Sequence, residues 1–223
     1  MRFIRKIENK ILLYLGVKIH RMGNRIERIT LPKFGNNPKN LTISSPRRII
    51  NSERIFIGDN VSLGPGSLLL AETHYPTDVM RHPDRDQSLQ TFDSKIVIGN
   101  NVTATADLQI AAASRITIEE DVMFASNIHI NDSSHGYETA AVPYKYQRIS
   151  NIAPILIQKG CWIGQNVVIL SGVTIGENTI IGSNSVVTSS IPAQCIAAGS
   201  PAKILKRWDE NTHAWRRADK YSG

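Results

Sequence analysis

The chain has 223 residues, 41% of them hydrophobic and 6% aromatic, and carries a formal net charge of +7, so it is long enough for one domain with a sizeable core. Residues 1–30 hold eight Lys or Arg against two Glu, which leaves the remainder close to neutral and, without stacking aromatics, argues against a nucleic-acid binder. Two cysteines, Cys161 and Cys195, and the lack of an apolar run of about 18 residues favour a cytoplasmic protein over a secreted or membrane-spanning one.

Residues 1–40 are predicted to form a basic amphipathic helical arm followed by a linker. Their apolar side chains recur at spacings of three and four residues, and Lys and Arg occupy the opposite face. The positions are Phe3, Ile4, Ile7, Ile11, Leu15, Ile19, Met22, Ile26 and Ile29. Two interpretations remain open for residues 1–30: peripheral contact with the anionic inner face of a membrane, or packing against the body or a neighbouring subunit.

Residues 41–205 are predicted to form a repeating body with two interruptions. An aliphatic residue returns every sixth position, first irregularly and then without a break. The irregular part contains Ile43, Ile49, Ile55, Val61, Ile96, Val102, Ile116, Val122 and Ile128. Residues 72–94 and 132–153 break the period, so they are expected to leave the body as loops. Loops on a rigid scaffold are where functional residues concentrate.

The regular part, Ile155–Gly199, predicts the architecture. Its inward positions are Ile157, Ile163, Ile169, Ile175, Ile181 and Val187. A period of six fits neither a helix nor an isolated strand, and three six-residue faces make a triangular coil of about 18 residues. Gly164, Gly176 and Gly182 follow inward aliphatics and Asn166, Asn178 and Asn184 come two residues later, as expected for corners with left-handed backbone. The pattern predicts an all-β fold, a parallel β-helix.

These hexads, together with Trp162 and the segment Ala198–Lys203, resemble the hexapeptide-repeat acyltransferases, a left-handed β-helix family that includes galactoside, maltose, serine and streptogramin acetyltransferases. The resemblance implies a homotrimer that uses acetyl-CoA as co-substrate, with no metal expected. It is strongest over Ile155–Lys206 and weaker from about Ile43.

The second loop carries the expected catalytic residue. The segment Asn131–Glu138 resembles the Asp-x-x-His-Gly segment of sugar O-acetyltransferases in this family, which implies that His135 is the general base. An imidazole suits the task because it titrates near neutrality and can take the proton of a hydroxyl. Asp132 and Glu138 are the two candidates for a carboxylate that orients the ring. His129, Asn131 and Tyr137 are the candidate acceptor-binding residues.

The same resemblance implies a donor site on the last coils. The positions that match donor-contacting residues of the family are Trp162, Gln165, Ser183, Thr188, Lys203 and Lys206. Trp162 matches an aromatic side chain beside the thioester, and the two lysines suit the phosphates of a nucleotide cofactor. Cys161 and Cys195 are expected to be inert thiols.

Residues 206–223 are predicted to form a short C-terminal helix. Trp208 and Trp215 are seven residues apart, so a helix would place them on one face, where they could cover the exposed end of the coil.

The sequence therefore predicts an acetyl-CoA-dependent O-acetyltransferase that acts on a saccharide hydroxyl in surface polysaccharide, capsule or lipopolysaccharide biosynthesis. A streptogramin-type xenobiotic acetyltransferase, an N-acetyltransferase of amino sugars and a non-catalytic trimeric scaffold are the alternatives. A zinc site made of His74, His129 and His135, as in carbonic anhydrases of this fold, is a further one.

Overall fold

The computed structural model describes residues 13–19, 22–23, 25–27, 29–84 and 87–218. The part of the arm prediction on residues 1–12 and the part of the tail prediction on residues 219–223 lie outside the described residues. The chain divides into two compact units, Met1–Pro32 and Lys33–Gly223.

The first unit is helical at residues 13–19, 22–23, 25–27 and 29, and the apolar side chains of these helical residues, such as Leu13, Val17 and Ile26, are exposed. Among the described residues no helix is long and apolar enough to cross a membrane.

The second unit is built almost entirely of short strands. Its described residues include three short 3₁₀ turns, Ser52–Arg54, Asp78–Met80 and Tyr144–Tyr146. Its strands are β1 Thr42–Ile43, β2 Arg47–Ile50, β3 Ile55–Ile57, β4 Ser62–Leu63, β5 Ser67–Ala71, β6 His74–Tyr75, β7 Gln90–Thr91, β8 Lys95–Ile98, β9 Thr103–Ala112, β10 Arg115–Ile118, β11 Met123–Asn131, β12 Ser134–His135, β13 Ile149–Ser150, β14 Ile155–Ile157, β15 Trp162–Ile163, β16 Val168–Ile169, β17 Thr174–Ile175, β18 Ile180–Ile181, β19 Val186–Val187, β20 Cys195–Gly199, β21 Ala202–Asp209 and β22 Ala214–Arg217.

Parallel pairing arranges the strands other than β6, β7, β12, β13, β21 and β22 in three stacks, which are the three faces of a coil. The first face contains β3, β8, β10, β14 and β17. The second contains β1, β4, β15, β18, β20 and the first halves of β9 and β11. The third contains β2, β5, β16, β19 and the second halves of β9 and β11. The chain passes through the faces in this order, so each circuit adds one strand to every face.

The register of the stacks shows where the coil is interrupted. Ile163 pairs with Ile181, 18 residues later. Ile57 instead pairs with Ile98, because the first excursion, residues 72–94, intervenes. Phe124 pairs with Ile163, because the second excursion, residues 132–153, intervenes. Both excursions leave the coil after a strand of the third face and return at a strand of the first face.

The aliphatic column predicted from the hexads is confirmed. All six inward positions of the regular part, from Ile157 to Val187, are fully buried. A second buried position lies two residues before each residue of this column. It is filled by Ile155, Cys161, Val167, Val173, Thr179 and Ser185. Each circuit therefore contributes six inward side chains, and stacking neighbours bury what no circuit could bury alone.

The corners use Asn and Gly for different reasons. Asn166, Asn178 and Asn184 have left-handed backbone, with φ of 58, 55 and 61°, as predicted. The expectation that the neighbouring glycines share this conformation is wrong. Gly176 is needed because a Cβ there would lie 2.2 Å from the backbone nitrogen of Ala193 on the next coil.

Residues 33–40 belong to the second unit, although they were predicted to be part of a linker. The side-chain amide of Asn36 donates to the carbonyl of Ile57 at 2.7 Å and accepts from the amide nitrogen of Ile57 at 2.9 Å. The segment is therefore fixed to the first circuit by hydrogen bonds.

The predicted C-terminal helix is wrong over the described residues. Strand β21 runs antiparallel to β20, and β22 pairs with β21. The open edge of β20 offers unpaired backbone groups that a strand can satisfy and a helix cannot. The two tryptophans do meet, but as a cross-strand pair: the rings of Trp208 and Trp215 are 5.5 Å apart and edge to face.

Candidate active site

The two excursions contact each other side by side. The side-chain amide of Gln90 bonds to both backbone groups of Ile149, accepting at 2.7 Å and donating at 3.0 Å. Gln87 donates to the carbonyl of Tyr146 at 2.8 Å, and the ring of Tyr146 packs edge to face on His82. Side chains of the first excursion thus hold the backbone of the second in place.

His135 is exposed on this platform. It lies in β12, which pairs with β13 to form a short hairpin within the second excursion. Its Nδ1 lies 3.4 Å from the hydroxyl oxygen of Tyr75, and the two rings are edge to face with centroids 5.5 Å apart. Tyr75 belongs to the first excursion, is only 6% exposed and donates its hydroxyl hydrogen to the carbonyl of Lys145.

The carboxylate of Asp132 binds backbone amides instead of orienting the imidazole of His135. It is fully buried, and its two carboxylate oxygens accept from the amide nitrogens of Ala113 at 2.7 Å and Ser114 at 2.8 Å. Burial raises the pKa of Asp132, although the amide hydrogen bonds act in the opposite direction. Asp132 therefore anchors the second excursion to the preceding circuit.

Glu138, the other candidate carboxylate, folds back over Gly136, where a Cβ would come within 2.6 Å of its Oε2. The hydrogen-bond partner found for His135 Nδ1 among the described residues is therefore the phenol of Tyr75 rather than a carboxylate.

Tyr75 and Glu72 are parts of this region that were not predicted from the sequence. Burial raises the pKa of Glu72 and the charge of Asp132 raises it further, and its Oε2 is buried without a hydrogen-bond partner. Burial, followed by the charge of Glu72, also raises the pKa of Tyr75, so the phenol stays neutral. The hexad pattern stops before these residues, so no signal in one sequence pairs the first excursion with the second.

The acceptor-side candidates are spread over the third face and the second excursion. His129 points outward as predicted, between the buried side chains of Ile128 and Ile130, with its Nε2 3.2 Å from Asn127 Oδ1. Asn131, half-buried, ends β11. The exposed Tyr137 has its hydroxyl 3.5 Å from the side-chain amide of Asn151, which also donates to Ser134, the neighbour of His135.

Among the described residues there is no group of three or more His, Cys, Asp or Glu side chains arranged to hold a metal ion. His74, His129 and His135 therefore do not form the zinc site that was the carbonic anhydrase alternative. The Nδ1 of His74 instead lies 3.1 Å from the hydroxyl of its neighbour Thr73.

The donor-side candidates lie on the last circuits. Trp162 is 47% exposed on the second face, between Met123 and Ile180 of the adjacent strands. Gln165 and Ser183 share the corner that follows, where the amide nitrogen of Gln165 donates to Ser183 Oγ at 3.2 Å. Thr188 lies at the next corner, after the third face, so the structure does not bring it to the corner of Gln165.

Lys203 and Lys206 are exposed on β21. Lys203 lines an open groove of about 1050 Å³ between the last circuit and the C-terminal hairpin. Three arginines that were not predicted as site residues, Arg207, Arg216 and Arg217, line the same groove. The groove thus presents several cations together with the carboxylates of Asp209 and Glu210, and Asp209 is ion-paired with Arg216.

The His135 and Trp162 regions lie at different positions around the coil. The second excursion leaves between the third and first faces and is tied to the corner there, because Ser171 Oγ donates to the carbonyl of Asn151. Trp162 lies on the second face. A single chain therefore holds the two predicted halves of the site on separate sides.

Both cysteines are buried. Burial raises the pKa of the Cys161 thiol to about 11, and Sγ lies 3.1 Å from the carbonyl of Gly176. Burial also raises the pKa of Cys195. Because the thiolate is the nucleophile, raising these pKa values makes both thiols weaker nucleophiles at neutral pH.

Comparison with known proteins gives a consistent picture. Residues 154–189 match the bacterial transferase hexapeptide model of six repeats. WbbJ of Escherichia coli K12, which carries the name of a lipopolysaccharide biosynthesis O-acetyl transferase, is 33% identical over 130 residues, which are 55% of this chain and 66% of WbbJ. The chain thus spans just under two thirds of that relative.

A Schizosaccharomyces pombe protein named as an acetyltransferase, C18B11.09c, is 32% identical over 158 residues, which are 68% of this chain and 74% of that protein. The crystal structure of a mutant of AntD, a Bacillus cereus N-acyltransferase in complex with dTDP and coenzyme A, superposes with a TM-score of 0.63 at 20% identity, covering 84% of this chain and 90% of AntD. With its stacked hexads and these relatives, the chain belongs to the hexapeptide-repeat acyltransferase family.

Proposed function

We propose that this protein is an acetyl-CoA-dependent O-acetyltransferase that acetylates a saccharide hydroxyl. The observation that carries the proposal is the exposed imidazole of His135, held by a buried phenol on a platform made by both excursions. The name of WbbJ supports a saccharide acceptor in surface polysaccharide assembly.

The reaction is direct transfer in a ternary complex. The acceptor hydroxyl attacks the thioester carbonyl while His135 takes its proton, and backbone amides beside the bound thioester stabilise the oxyanion. The C–S bond then breaks, and the CoA thiolate leaves and takes up the proton from the imidazolium. The raised pKa of the Cys161 thiol supports a mechanism without an acyl-cysteine intermediate.

The donor lies along the last circuits, beside Trp162, Gln165 and Ser183. Its phosphates bind Lys203 and Lys206, and the neighbouring arginines of the C-terminal groove add charge and forked hydrogen-bond donors. Exposure of Trp162 supports a role at the surface over one in the core.

The functional unit is a homotrimer of left-handed coils. Because His135 and Trp162 lie on separate sides of one chain, a complete site needs His135 of one copy and Trp162 of the next. Cyclic assembly repeats that contact three times. We place the trimer in the cytoplasm, with residues 1–30 resting on the inner face of the membrane. This contact is supported by the six excess positive charges of that segment and by the exposure of the described apolar side chains of its helix.

The test is thiol release from acetyl-CoA with a panel of oligosaccharides, a streptogramin and an amino-sugar nucleotide as acceptors. We expect saccharide-dependent release that falls by about 10²- to 10⁴-fold in His135→Ala, the usual contribution of a general base. His213→Ala, in the C-terminal hairpin, serves as the matched histidine control and should retain activity. Release only with the streptogramin or the amino sugar would replace the proposed acceptor, and absence of CoA binding would support the non-catalytic scaffold.

A further inference from the structure

The hydroxyl oxygen of Tyr75 lies close to two polar groups but carries a single hydrogen. It donates that hydrogen to the carbonyl of Lys145, which has no hydrogen to give. The remaining capacity of the phenol oxygen is to accept. Its second neighbour is Nδ1 of His135 at 3.4 Å, at the long end of hydrogen-bond distances.

This arrangement selects one form of the imidazole. A neutral histidine carries its hydrogen on either Nδ1 or Nε2, and the partner of one nitrogen decides which. Because the phenol oxygen can only accept here, Nδ1 must carry the hydrogen. Nε2 then keeps its lone pair, which is the form that a base needs to take a proton from a hydroxyl.

We propose that Tyr75 is the positioning residue of His135: its phenol oxygen accepts the Nδ1 hydrogen and keeps Nε2 unprotonated and facing the acceptor side. The role that a carboxylate plays in hydroxyl-activating triads is thus taken by a neutral group from the other excursion.

The surroundings of Tyr75 suit this role. The side chain is almost fully buried, so the ring is held by packing. Strand β6, which carries it, pairs with β7, whose Gln90 clamps the backbone of Ile149, the residue opposite His135 in the short hairpin. The phenol and the imidazole are therefore fixed by the same set of backbone contacts.

Which nitrogen of His135 is protonated can be measured whether or not the protein transfers acetyl groups. The catalytic consequence of that protonation rests on the proposed function. The measurement is a long-range ¹H–¹⁵N correlation spectrum of the full chain with ¹⁵N-labelled histidine, with His135 assigned by the signals that disappear in His135→Gln. We expect wild-type His135 to be protonated on Nδ1. In Tyr75→Phe we expect a shift towards protonation on Nε2, the form that dominates in unconstrained histidine.

Kinetics of the same variants give the second readout. Tyr75→Phe should lower kcat by about tenfold, the rate equivalent of one hydrogen bond, with KM for acetyl-CoA unchanged. Tyr144→Phe, an exposed tyrosine of the second excursion, is the matched control and should change neither the spectrum nor kcat.

Wild-type His135 protonated on Nε2 would overturn the proposal. The wild-type spectrum alone therefore tests the proposal, even if Tyr75→Phe fails to fold. An unchanged tautomer in a folded Tyr75→Phe would overturn it as well. A tautomer shift in a protein that transfers no acetyl group would support the positioning role and contradict the proposed function.

Discussion

Glu72 and Asp132 both have buried carboxyl oxygens, but they differ in the hydrogen bonds that the fold supplies to those oxygens. Asp132 accepts two short backbone hydrogen bonds. Glu72 has an oxygen that is buried without a partner, and the charge of Asp132 adds to the effect of burial on its pKa. An ionised Glu72 is therefore a destabilising feature of the native state, adjacent in sequence to the segment that supplies Tyr75.

Replacing Glu72 by Gln should stabilise the protein at pH 7 by roughly 1 kcal/mol, the scale of relieving a poorly satisfied charged group. The folded-state pKa of Glu72 is raised, so its native state binds more protons than its unfolded state above the ordinary value of 4.5. Wild-type stability consequently falls as the pH rises from that value through the raised pKa. Below the ordinary value of 4.5, wild-type Glu72 is protonated in both the folded and the unfolded state, so Gln no longer makes the protein more stable than wild type.

Urea unfolding of both proteins between pH 4 and pH 8 would check this, with the exposed Glu53→Gln as the control. A stabilisation that is as large at pH 4 as at pH 7 would show that charge is not its cause.

At the scale of the elements, the coil depends on its corners. Asn166 combines a left-handed backbone with two side-chain hydrogen bonds, from Asn127 at 2.9 Å and to Asn184 at 2.8 Å. These three side chains form a ladder that crosses three circuits. The same residue type therefore satisfies both the backbone turn and the contact between coils.

Asn166→Ala should cost roughly 2 to 3 kcal/mol, because it places a Cβ-bearing residue without local hydrogen bonds in left-handed backbone and removes two bonds of the ladder. Asn166→Gly removes the same two bonds but tolerates the backbone, so its cost should be smaller by about 1 kcal/mol. The measurement is the free energy of unfolding of both variants in urea. Equal costs would mean that the ladder alone accounts for the preference for Asn at this corner.

At the scale of the whole molecule, the sequence was informative wherever it repeats. Three features could be predicted from one sequence because each circuit has the same steric requirement. They are the inward aliphatics from Ile157 to Val187, the Asn corners, and the points where both excursions interrupt the period. The C-terminal hairpin could not, because a spacing of seven between Trp208 and Trp215 also fits a helix. The decisive factor was the open edge of β20, which exists only in the folded coil.

The candidate site was predictable only in part for the same reason. A motif led to His135, but its partner Tyr75 is 60 residues away in another excursion, and no repeat relates the two. Asp132 was adjacent in sequence yet anchors backbone instead. The positions of His135 and Trp162 around the coil likewise follow from the stacking of circuits, and they carry the proposal of a site shared between copies.

Subunit complementation tests whether the site is shared between copies. His135→Ala and Trp162→Ala should each be inactive as homotrimers. When the two are co-expressed in equal amounts, sites that take His135 from one copy and Trp162 from the next should regain about one quarter of wild-type acetyl transfer, by random mixing in a closed ring. A site shared between copies would be contradicted by wild-type chains that are monomeric and active, or by mixed trimers that stay inactive.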